Sequence, residues 1–303
     1  MPTKPLESIL YRELSQVEGK DIINIASPLL EELVNYGTCA LARSASSAPG
    51  GVYEHVAVHA LYRHVIEMTD GIEALVSQAC PAPAVPLVRS CFEAWLSMEY
   101  LLEKDYERRS LCWLVGYIHQ RLDMCERFDL STAKGARFKE VFDNDRIVSR
   151  MSWPSVEAPS KARENLLSLL AKPVLRPIES EFARQKRQKW YRLFDGPSSL
   201  FELAQYLNLG ACYDVLYRGW SRVAHGQDLL SFLVLDRTVE SEQAIARLRE
   251  PLQIQNVAIY ASAFMLNATR LILGKFRSGE DLSRWYKREV LERNHLLREW
   301  MNP

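Results

Sequence analysis

The chain has 303 residues, of which 48% are apolar and 25% are charged, a composition typical of a soluble globular protein. Lysine plus arginine and aspartate plus glutamate both number 38, so the net charge excludes a global electrostatic preference for nucleic acid or membranes. The length allows one large domain or two ordinary ones, with a substantial core.

Helical periodicity dominates the first half of the chain, and convincing strand alternation is absent. Prolines and glycines in the stretches 46–51 and 80–83 predict breaks between helices. On this basis we predict helices over residues 5–17, 21–45, 52–79, 86–103 and 105–128.

The second half is predicted to be helical as well, with shorter elements at first. Pro173 and Pro177 predict a break or kink within the segment 160–190. Further helices are predicted over residues 200–207, 210–224, 240–275 and 279–300. We therefore expect an all-α, multi-helix bundle with three parts: N-terminal helices (1–128), an inserted helical subregion with turns (129–195) and C-terminal helices (196–303).

Six cysteines lack the paired short spacing of zinc or redox motifs, and most lie in apolar helical contexts. This usage indicates a reducing compartment. The N-terminus lacks the pattern of a signal peptide, and no apolar run approaches membrane-spanning length. We expect a cytoplasmic protein without a membrane partner.

The most informative stretch is Tyr213-Asp-Val-Leu-Tyr-Arg-Gly-Trp-Ser-Arg-Val-Ala-His225-Gly226. In a helix, residues three and four apart share a face, so one stripe carries Asp214, Tyr217 or Arg218, Ser221 and His225. Polar groups cost free energy to bury unless they find partners. The stripe is therefore predicted either to face a cleft or to form a satisfied internal network.

A catalytic interpretation of this stripe rests on two side chains. His225 could act as a general acid or base near neutral pH, while Arg218 or Arg222 could hold a phosphate. Ser221, one turn before the imidazole, could fix its tautomer or touch a substrate. The structural alternative is that His225 interacts with the helix dipole and that Gly226 ends the helix.

Two further charged features stand out. Arg89 and Glu93 are one helical turn apart among apolar neighbours, so the pair is either buried or cleft-facing, or else an ordinary solvated ion pair. A basic run that precedes two aromatic residues is a candidate nucleic-acid surface, with the cations Arg184, Lys186, Arg187 and Lys189.

Histidines on the predicted helix 52–79 raise the question of a metal. His55 and His59 are one turn apart, and Glu54, Glu67 or Glu93 could add a carboxylate. A bundle metal site usually needs Glu-x-x-His elements, and this helix has none. We expect neither a metal nor a cofactor, because the chain also lacks a Gly-rich phosphate loop and a Gly-x-Ser-x-Gly motif.

Three pieces in order carry a resemblance to a known family. They are Leu87-Val-Arg-Ser-Cys-Phe-Glu-Ala-Trp95, then Lys189-Trp190 with Ser199-Leu-Phe-Glu-Leu-Ala204, then Tyr213-x3-Tyr217-x3-Ser221-x3-His225-Gly226. The set resembles a bacterial family catalogued as a domain of unknown function, with an Arg-x3-Glu helix and a Tyr-x3-Ser-x3-His-Gly helix. The resemblance covers about residues 80–230.

More loosely, the chain is similar to the HEPN superfamily of helical ribonucleases found in toxin–antitoxin, abortive-infection and CRISPR-associated systems. These enzymes carry an arginine, four to six residues and then a histidine at a helix end, which Arg218 and His225 match. Gly219 departs from the polar residue that commonly follows the arginine. The resemblance implies a homodimer in which two motifs meet and promote attack of a ribose 2′-hydroxyl on the adjacent phosphate.

The resulting hypothesis is a HEPN-like, metal-independent RNA endonuclease in bacterial stress or anti-phage defence. His225 is the acid/base, and Arg218 contacts the phosphate, with Arg222 as a second candidate for this contact. Ser221, Tyr217 and Asp214 support the site, and the pair Arg89–Glu93 braces it from the neighbouring helix. The alternative is a non-enzymatic helical regulator or partner subunit of a defence module. A metal-dependent enzyme that uses His55 and His59 is a third hypothesis.

Overall fold

The computed structural model describes residues 4–7, 9–49, 52–153, 159–185, 189–219, 233–234, 244–245, 247–251 and 253–300. The chain divides into two compact units. The first unit comprises Met1–Gly50, Val58–Lys104 and Phe201–Pro303, and the second unit comprises Gly51–Ala57 and Asp105–Leu200.

The described residues form an all-α protein, as predicted, apart from one minimal ladder. Two strands of two residues each, β1 (Leu233–Val234) and β2 (Ala244–Ile245), pair antiparallel. The α-helices are α1 Lys20–Ser47, α2 Val52–Val76, α3 Pro81–Glu103, α4 Tyr106–Phe128, α5 Ala133–Asn144, α6 Pro159–Leu170, α7 Arg176–Arg184, α8 Leu200–Tyr206, α9 Gly210–Cys212, α10 Ile254–Phe276, α11 Leu282–Trp285 and α12 Leu291–Glu299. Two π-helical segments, Tyr213–Arg218 and Tyr286–Val290, and three short 3-10 segments, Arg12–Gln16, Val148–Arg150 and Trp190–Arg192, complete the described helical elements.

The core of the first unit forms where α10 packs along both α1 and α3. Phe92 of α3 and Met265 of α10 are fully buried there, and the ring of Phe92 lies 5.5 Å from that of Phe264. Burial of such apolar side chains removes their surface from water, which contributes about 2 kcal/mol for each large side chain. This core fixes the position of α3, the helix that carries Arg89 and Glu93.

A buried hydrogen-bond chain joins α2 to α10 inside this core. The hydroxyl of Thr269 donates to the carbonyl of Met265 at 2.8 Å. The same oxygen lies 2.8 Å from the hydroxyl of Tyr62, which therefore donates to it. Tyr62 is fully buried, so its hydroxyl depends on this partner, and burial raises its pKa well above the usual range.

At one end of the first unit, Glu280 binds side chains from α1 and from the turn after α10. It accepts hydrogen bonds from Arg43, from Tyr36 at 3.0 Å and from Arg277 at 3.3 Å. The Arg43 guanidinium, with help from the hydroxyl of Tyr36, holds the pKa of this carboxyl below its usual range. Burial and the same carboxylate raise the pKa of Tyr36 to about 12.

The second unit is built around α4, which packs against α5, α6, α7 and the 3-10 segment at Trp190. Its apolar face contributes Val115 and Ile118, which are at most 1% exposed, to a cluster with Leu175 and Phe182. The helical spacing of apolar residues in the sequence predicts an amphipathic α4. Burial of its apolar face positions the helices that follow it.

Each unit also contains a deeply buried thiol. Cys91 on α3 lies in the first unit, and Cys112 on α4 lies in the second. Burial raises the pKa of both thiols to about 12. Both thiols are therefore protonated and act as small apolar side chains at neutral pH.

Several predicted helices differ from those observed. Helix α3 begins at Pro81 and not at residue 86, and the predicted helix 279–300 consists of α11, the π-helical segment Tyr286–Val290 and α12. The predicted helix 5–17 is reduced to the 3-10 segment Arg12–Gln16, since so short a segment has little intrinsic helical stability. The predicted helix 240–275 begins only at Ile254, and Ala244–Ile245 form a strand instead. Pro251 disfavours helical geometry at the residue before it, so the helix starts after the proline.

One described helix, α10, is long and apolar enough to cross a membrane, with a mean hydropathy of 1.4 in its most apolar window. The prediction that no segment approaches this length is therefore wrong. In this chain, 56% of that window is buried against other parts of the protein. A buried helix at the centre of a helical unit passes the same test, so the finding is weak evidence for a membrane span.

Replacing Tyr62 by phenylalanine tests the hydrogen-bond chain in the core. We expect the Tyr62→Phe variant to lose about 1 kcal/mol of unfolding free energy, because the buried hydroxyl of Thr269 loses its donor. Urea denaturation followed by circular dichroism measures the loss. Tyr117→Phe, which removes a hydroxyl from an exposed ring, is the control and is expected to change stability by less than about 0.5 kcal/mol.

Replacing Glu280 by glutamine tests the charge at the end of the first unit. A carboxyl whose folded pKa is depressed stabilises the fold above its unfolded pKa of about 4.3, and this stabilisation disappears as the pH falls through the folded pKa. We expect Glu280→Gln to cost about 1–2 kcal/mol at pH 7 and progressively less below pH ~4. Denaturation across pH measures this difference, and the exposed Glu67→Gln variant serves as the control. A constant difference at every pH contradicts the assignment.

Candidate functional site

Helix α3 places an arginine at the edge of the first unit's core. Pro81 occupies the first turn of the helix, where a missing N–H costs nothing. Two turns later Arg89 donates from Nε to Oε1 of Glu93 at 3.2 Å. The Arg89 side chain is only 20% exposed, whereas that of Glu93 is 43% exposed. The pair is therefore partly buried, and the guanidinium needs further partners.

The segment opposite Arg89 is π-helical rather than α-helical. After the single turn α9, residues Tyr213–Arg218 follow the wider i→i+5 hydrogen-bond pattern. The predicted continuous α-helix over residues 210–224 is wrong for this part. π-helical turns inside α-helices are rare and occur frequently at functional sites.

Within the π segment, side chains four residues apart pair with each other. The rings of Tyr213 and Tyr217 stack with centroids 4.6 Å apart. Oδ1 of Asp214 forms an ion pair with Nε of Arg218 at 3.1 Å. The predicted stripe therefore separates into an aromatic pair and an ionic pair.

A direct contact joins the two elements. Nη2 of Arg89 donates to the hydroxyl of Tyr217, and the guanidinium carbon lies 4.1 Å from the centroid of the same ring. The Tyr217 ring also lies 6.2 Å from that of Phe92, which belongs to the core. Arg89 thus links the core helix to the π segment through both a hydrogen bond and its charge on the aromatic face.

The pKa of Tyr217 is raised above its usual value. Burial is the main cause, the charge of Glu93 adds to it, and the nearby Arg89 opposes it. Burial also raises the pKa of Tyr213, against the charges of Arg218 and Arg89. Both phenols are therefore neutral near pH 7, so Tyr217 can offer a hydrogen bond but cannot act as an anionic base.

Arg218 is the most exposed cation of the site. Its side chain is 63% exposed, and its guanidinium carbon lies 5.1 Å from the ring of Phe201 on α8 and 5.9 Å from that of Tyr213. The ion pair with Asp214 uses Nε. Among the residues that the structure describes, none binds the two terminal nitrogens of Arg218, which form the fork that suits a phosphate.

Five of the predicted site residues lie in described contacts: Arg89 binds Glu93 and Tyr217, and Asp214 pairs with Arg218. Their proposed roles stay predictions. Sequence reasoning did not assign the aromatic residues that support them, Phe201 and Tyr213. Both residues lie in the segments 199–204 and 213–226, which carry the resemblance to the family, so the sequence did point to them. The predicted catalytic residues Ser221, Arg222 and His225 lie outside the described residues.

The predicted nucleic-acid surface belongs to the second unit. Arg184 ends α7 with its side chain 81% exposed and lies 3.7 Å from Glu181. Lys189 is also exposed. Lys186 and Arg187 lie outside the described residues. The two described cations are thus accessible to solvent.

The two histidines of the metal hypothesis contact aromatic residues. Nδ1 of His55 lies 3.0 Å from the hydroxyl of Tyr106, and the ring of His59 lies 4.7 Å from that of Phe276. Within the described part of the chain, no group of three or more histidine, cysteine, aspartate or glutamate residues could hold a metal ion. The metal-dependent hypothesis therefore has no described ligand set.

A double-mutant cycle tests the contact between α3 and the π segment. We expect Tyr217→Phe to lose about 1 kcal/mol of unfolding free energy, because Arg89 loses an acceptor in a partly buried position. Arg89→Met and the double variant complete the cycle, and a coupling energy of about 0.5–1.5 kcal/mol is expected. Chemical denaturation measures all four proteins. Additive losses would show that the two side chains do not interact in solution.

The sequence of this chain matches the family model of a family of unknown function, DUF5677, over residues 55–241. No curated protein matches the chain. No solved structure matches it. The matched segment contains α3, the π segment and the predicted residues up to His225, and it spans more than half of the 303 residues. The chain belongs to the family DUF5677, a family of unknown function.

Proposed function

We propose that this protein is a HEPN-like, metal-independent RNA endonuclease that acts in bacterial stress or anti-phage defence. In this proposal His225 is the general acid/base, and Arg218, with Arg222, binds the scissile phosphate. Ser221 and Tyr217 orient these groups. The pair Arg89–Glu93 positions Tyr217 from the neighbouring helix.

The observation that carries the proposal is the exposure and orientation of the Arg218 side chain. Its guanidinium is exposed, oriented by Asp214 through Nε and flanked by the rings of Phe201 and Tyr213. An arginine held in this way loses little freedom when it binds a phosphate through its terminal nitrogens. Arg218 also precedes His225 with the six-residue spacing of the HEPN motif.

The proposed reaction needs no metal. A neutral imidazole takes the proton of a ribose 2′-hydroxyl, and the oxygen attacks the adjacent phosphorus. The P–O bond to the 5′ oxygen of the next nucleotide breaks, and that oxygen receives a proton from an imidazolium. The products are a 2′,3′-cyclic phosphate and a 5′-hydroxyl. Arginine stabilises the charge that develops on the phosphoryl oxygens.

Two further elements belong to the proposal. A homodimer would supply a second copy of the motif, so that one imidazole removes a proton while the other donates one. The exposed basic run, with Arg184 and Lys189 among its cations, would bind the RNA backbone without sequence preference. We place this activity in the cytoplasm.

Cleavage of labelled RNA in the presence of a chelator tests the proposal. We expect the wild-type protein to leave 2′,3′-cyclic phosphate ends and His225→Ala to lose at least about 100-fold in rate, the contribution of a general acid/base. Arg218→Met is expected to lose a similar factor. Gel separation and end analysis of the products measure both.

Two variants control this experiment. His295→Ala removes a histidine that is 67% exposed and lies on α12, and Arg284→Met removes an arginine that is 83% exposed. Both are expected to cleave RNA like the wild type. Cleavage that survives in His225→Ala, or that requires an added metal ion, rules the proposal out.

A second candidate is a non-enzymatic regulator or partner subunit of a defence module. The observation that favours it is that the described charged groups pair within the protein: Arg89 binds Glu93 and Tyr217, and Arg218 binds Asp214 through Nε. A structural role is enough to explain these contacts, since they hold α3 and the π segment together. Absence of cleavage under all conditions, with a stable stoichiometric complex with a protein encoded beside it, supports this candidate instead.

A further inference from the structure

A groove in the first unit lies between α10 and the C-terminal helices and shares no lining residue with the candidate site. Its volume is about 600 Å³, which falls in the range of small-molecule sites. The apolar part of its lining consists of Ile259, Ala263 and Leu266 from α10, together with Leu282 and Leu291 from the opposite wall. A ligand that fits here must therefore carry an apolar portion.

The charged residues that line the groove are all cations. Arg270 of α10, Lys287 of the second π segment and Arg298 of α12 line it, and all three are exposed. The described residues that line the groove include no aspartate or glutamate, and none of the described residues forms an ion pair with these three cations. The groove consequently favours a negatively charged ligand.

One buried polar side chain lies within the lining. Asn294 of α12 is 7% exposed and lines the same groove. Its amide carries no charge, so it leaves the positive charge of the lining unchanged.

The direction of the helices locates the charges along the groove. Gln255, at the start of α10, donates to the carbonyl of Leu297 at 2.7 Å, so the end of α12 lies beside the start of α10. The two walls therefore run antiparallel. Ile259 and Arg270 are separated by about 16 Å of helix, at about 1.5 Å for each residue. Arg270 and Lys287 thus lie towards one end of the groove, and Arg298 lies towards the other.

We propose that this groove binds a small amphipathic anion, such as an acyl carboxylate of medium chain length. The acyl chain would lie on Ile259, Leu266 and Leu291, and the carboxylate would bind Arg270 and Lys287. The site does not depend on the proposed nuclease activity.

Isothermal titration calorimetry with monomeric dodecanoate tests the proposal on the full chain. We expect saturable binding with one site per chain, whereas the cationic dodecyltrimethylammonium and the uncharged dodecyl maltoside bind at least about tenfold more weakly, since a charged hydrogen bond contributes about this factor. The double variant Arg270→Met/Lys287→Met is expected to bind dodecanoate at least about tenfold more weakly. Arg284→Met is the matched control, because it removes an exposed arginine outside the groove and is expected to bind like the wild type.

Asn294→Leu gives an independent measurement. This variant replaces an amide of the lining by an apolar side chain of similar volume and leaves the three cations in place, so it is expected to bind dodecanoate at least as tightly as the wild type. Equal binding of anionic and cationic chains, or unchanged affinity in the double variant, overturns the proposal. Binding only to vesicles that contain anionic phospholipid, or only to an acidic amphipathic peptide, overturns it as well, in favour of a surface that docks a larger partner.

Discussion

The contact between Arg89 and Tyr217 is the interaction on which the candidate site depends. Arg89 is mostly buried at the edge of the core, so its charge requires partners, and Glu93 on the same helix provides only one of them. The phenol of Tyr217 provides another and draws the π segment onto α3. The same segment holds Arg218 against Asp214 and Phe201. Core packing, through α3, thereby sets the direction of the exposed guanidinium.

Much of the fold could be predicted because its long helices carry strong local signals. The periodic apolar residues of α1 and α4 give elements close to those observed, whereas α3 begins at Pro81 and not at the predicted residue 86. The start of α10 was missed because Pro251 outweighs the apolar residues that precede it. The π segments could not be predicted, since a five-residue hydrogen-bond step depends on what the surrounding structure packs against it. The ladder at Leu233–Val234 is too short to show alternation.

The contacts of the candidate site could be predicted from the sequence only in part. The four-residue spacing predicts that Arg89 lies beside Glu93 and that Asp214 lies beside Arg218, and both pairs are observed. Spacing alone does not say which residue of the motif faces α3, and the structure assigns this place to Tyr217. The aromatic supports Phe201 and Tyr213 were missed because aromatic residues in an apolar helix indicate core packing first. The groove with Asn294 is invisible in sequence, because its cations come from three separate elements.

The buried thiols of Cys91 and Cys112 allow the unfolding of the two units to be followed separately. With a pKa near 12, neither sulfur is nucleophilic while its surroundings remain packed. Each thiol gains thiolate character only when its own unit opens, and the two lie in different units. Brief exposure to an alkylating reagent followed by mass spectrometry therefore measures how much of each unit is unfolded, through the alkylation of its own cysteine. The native cysteines alone can show whether the two units melt as one cooperative body or in sequence.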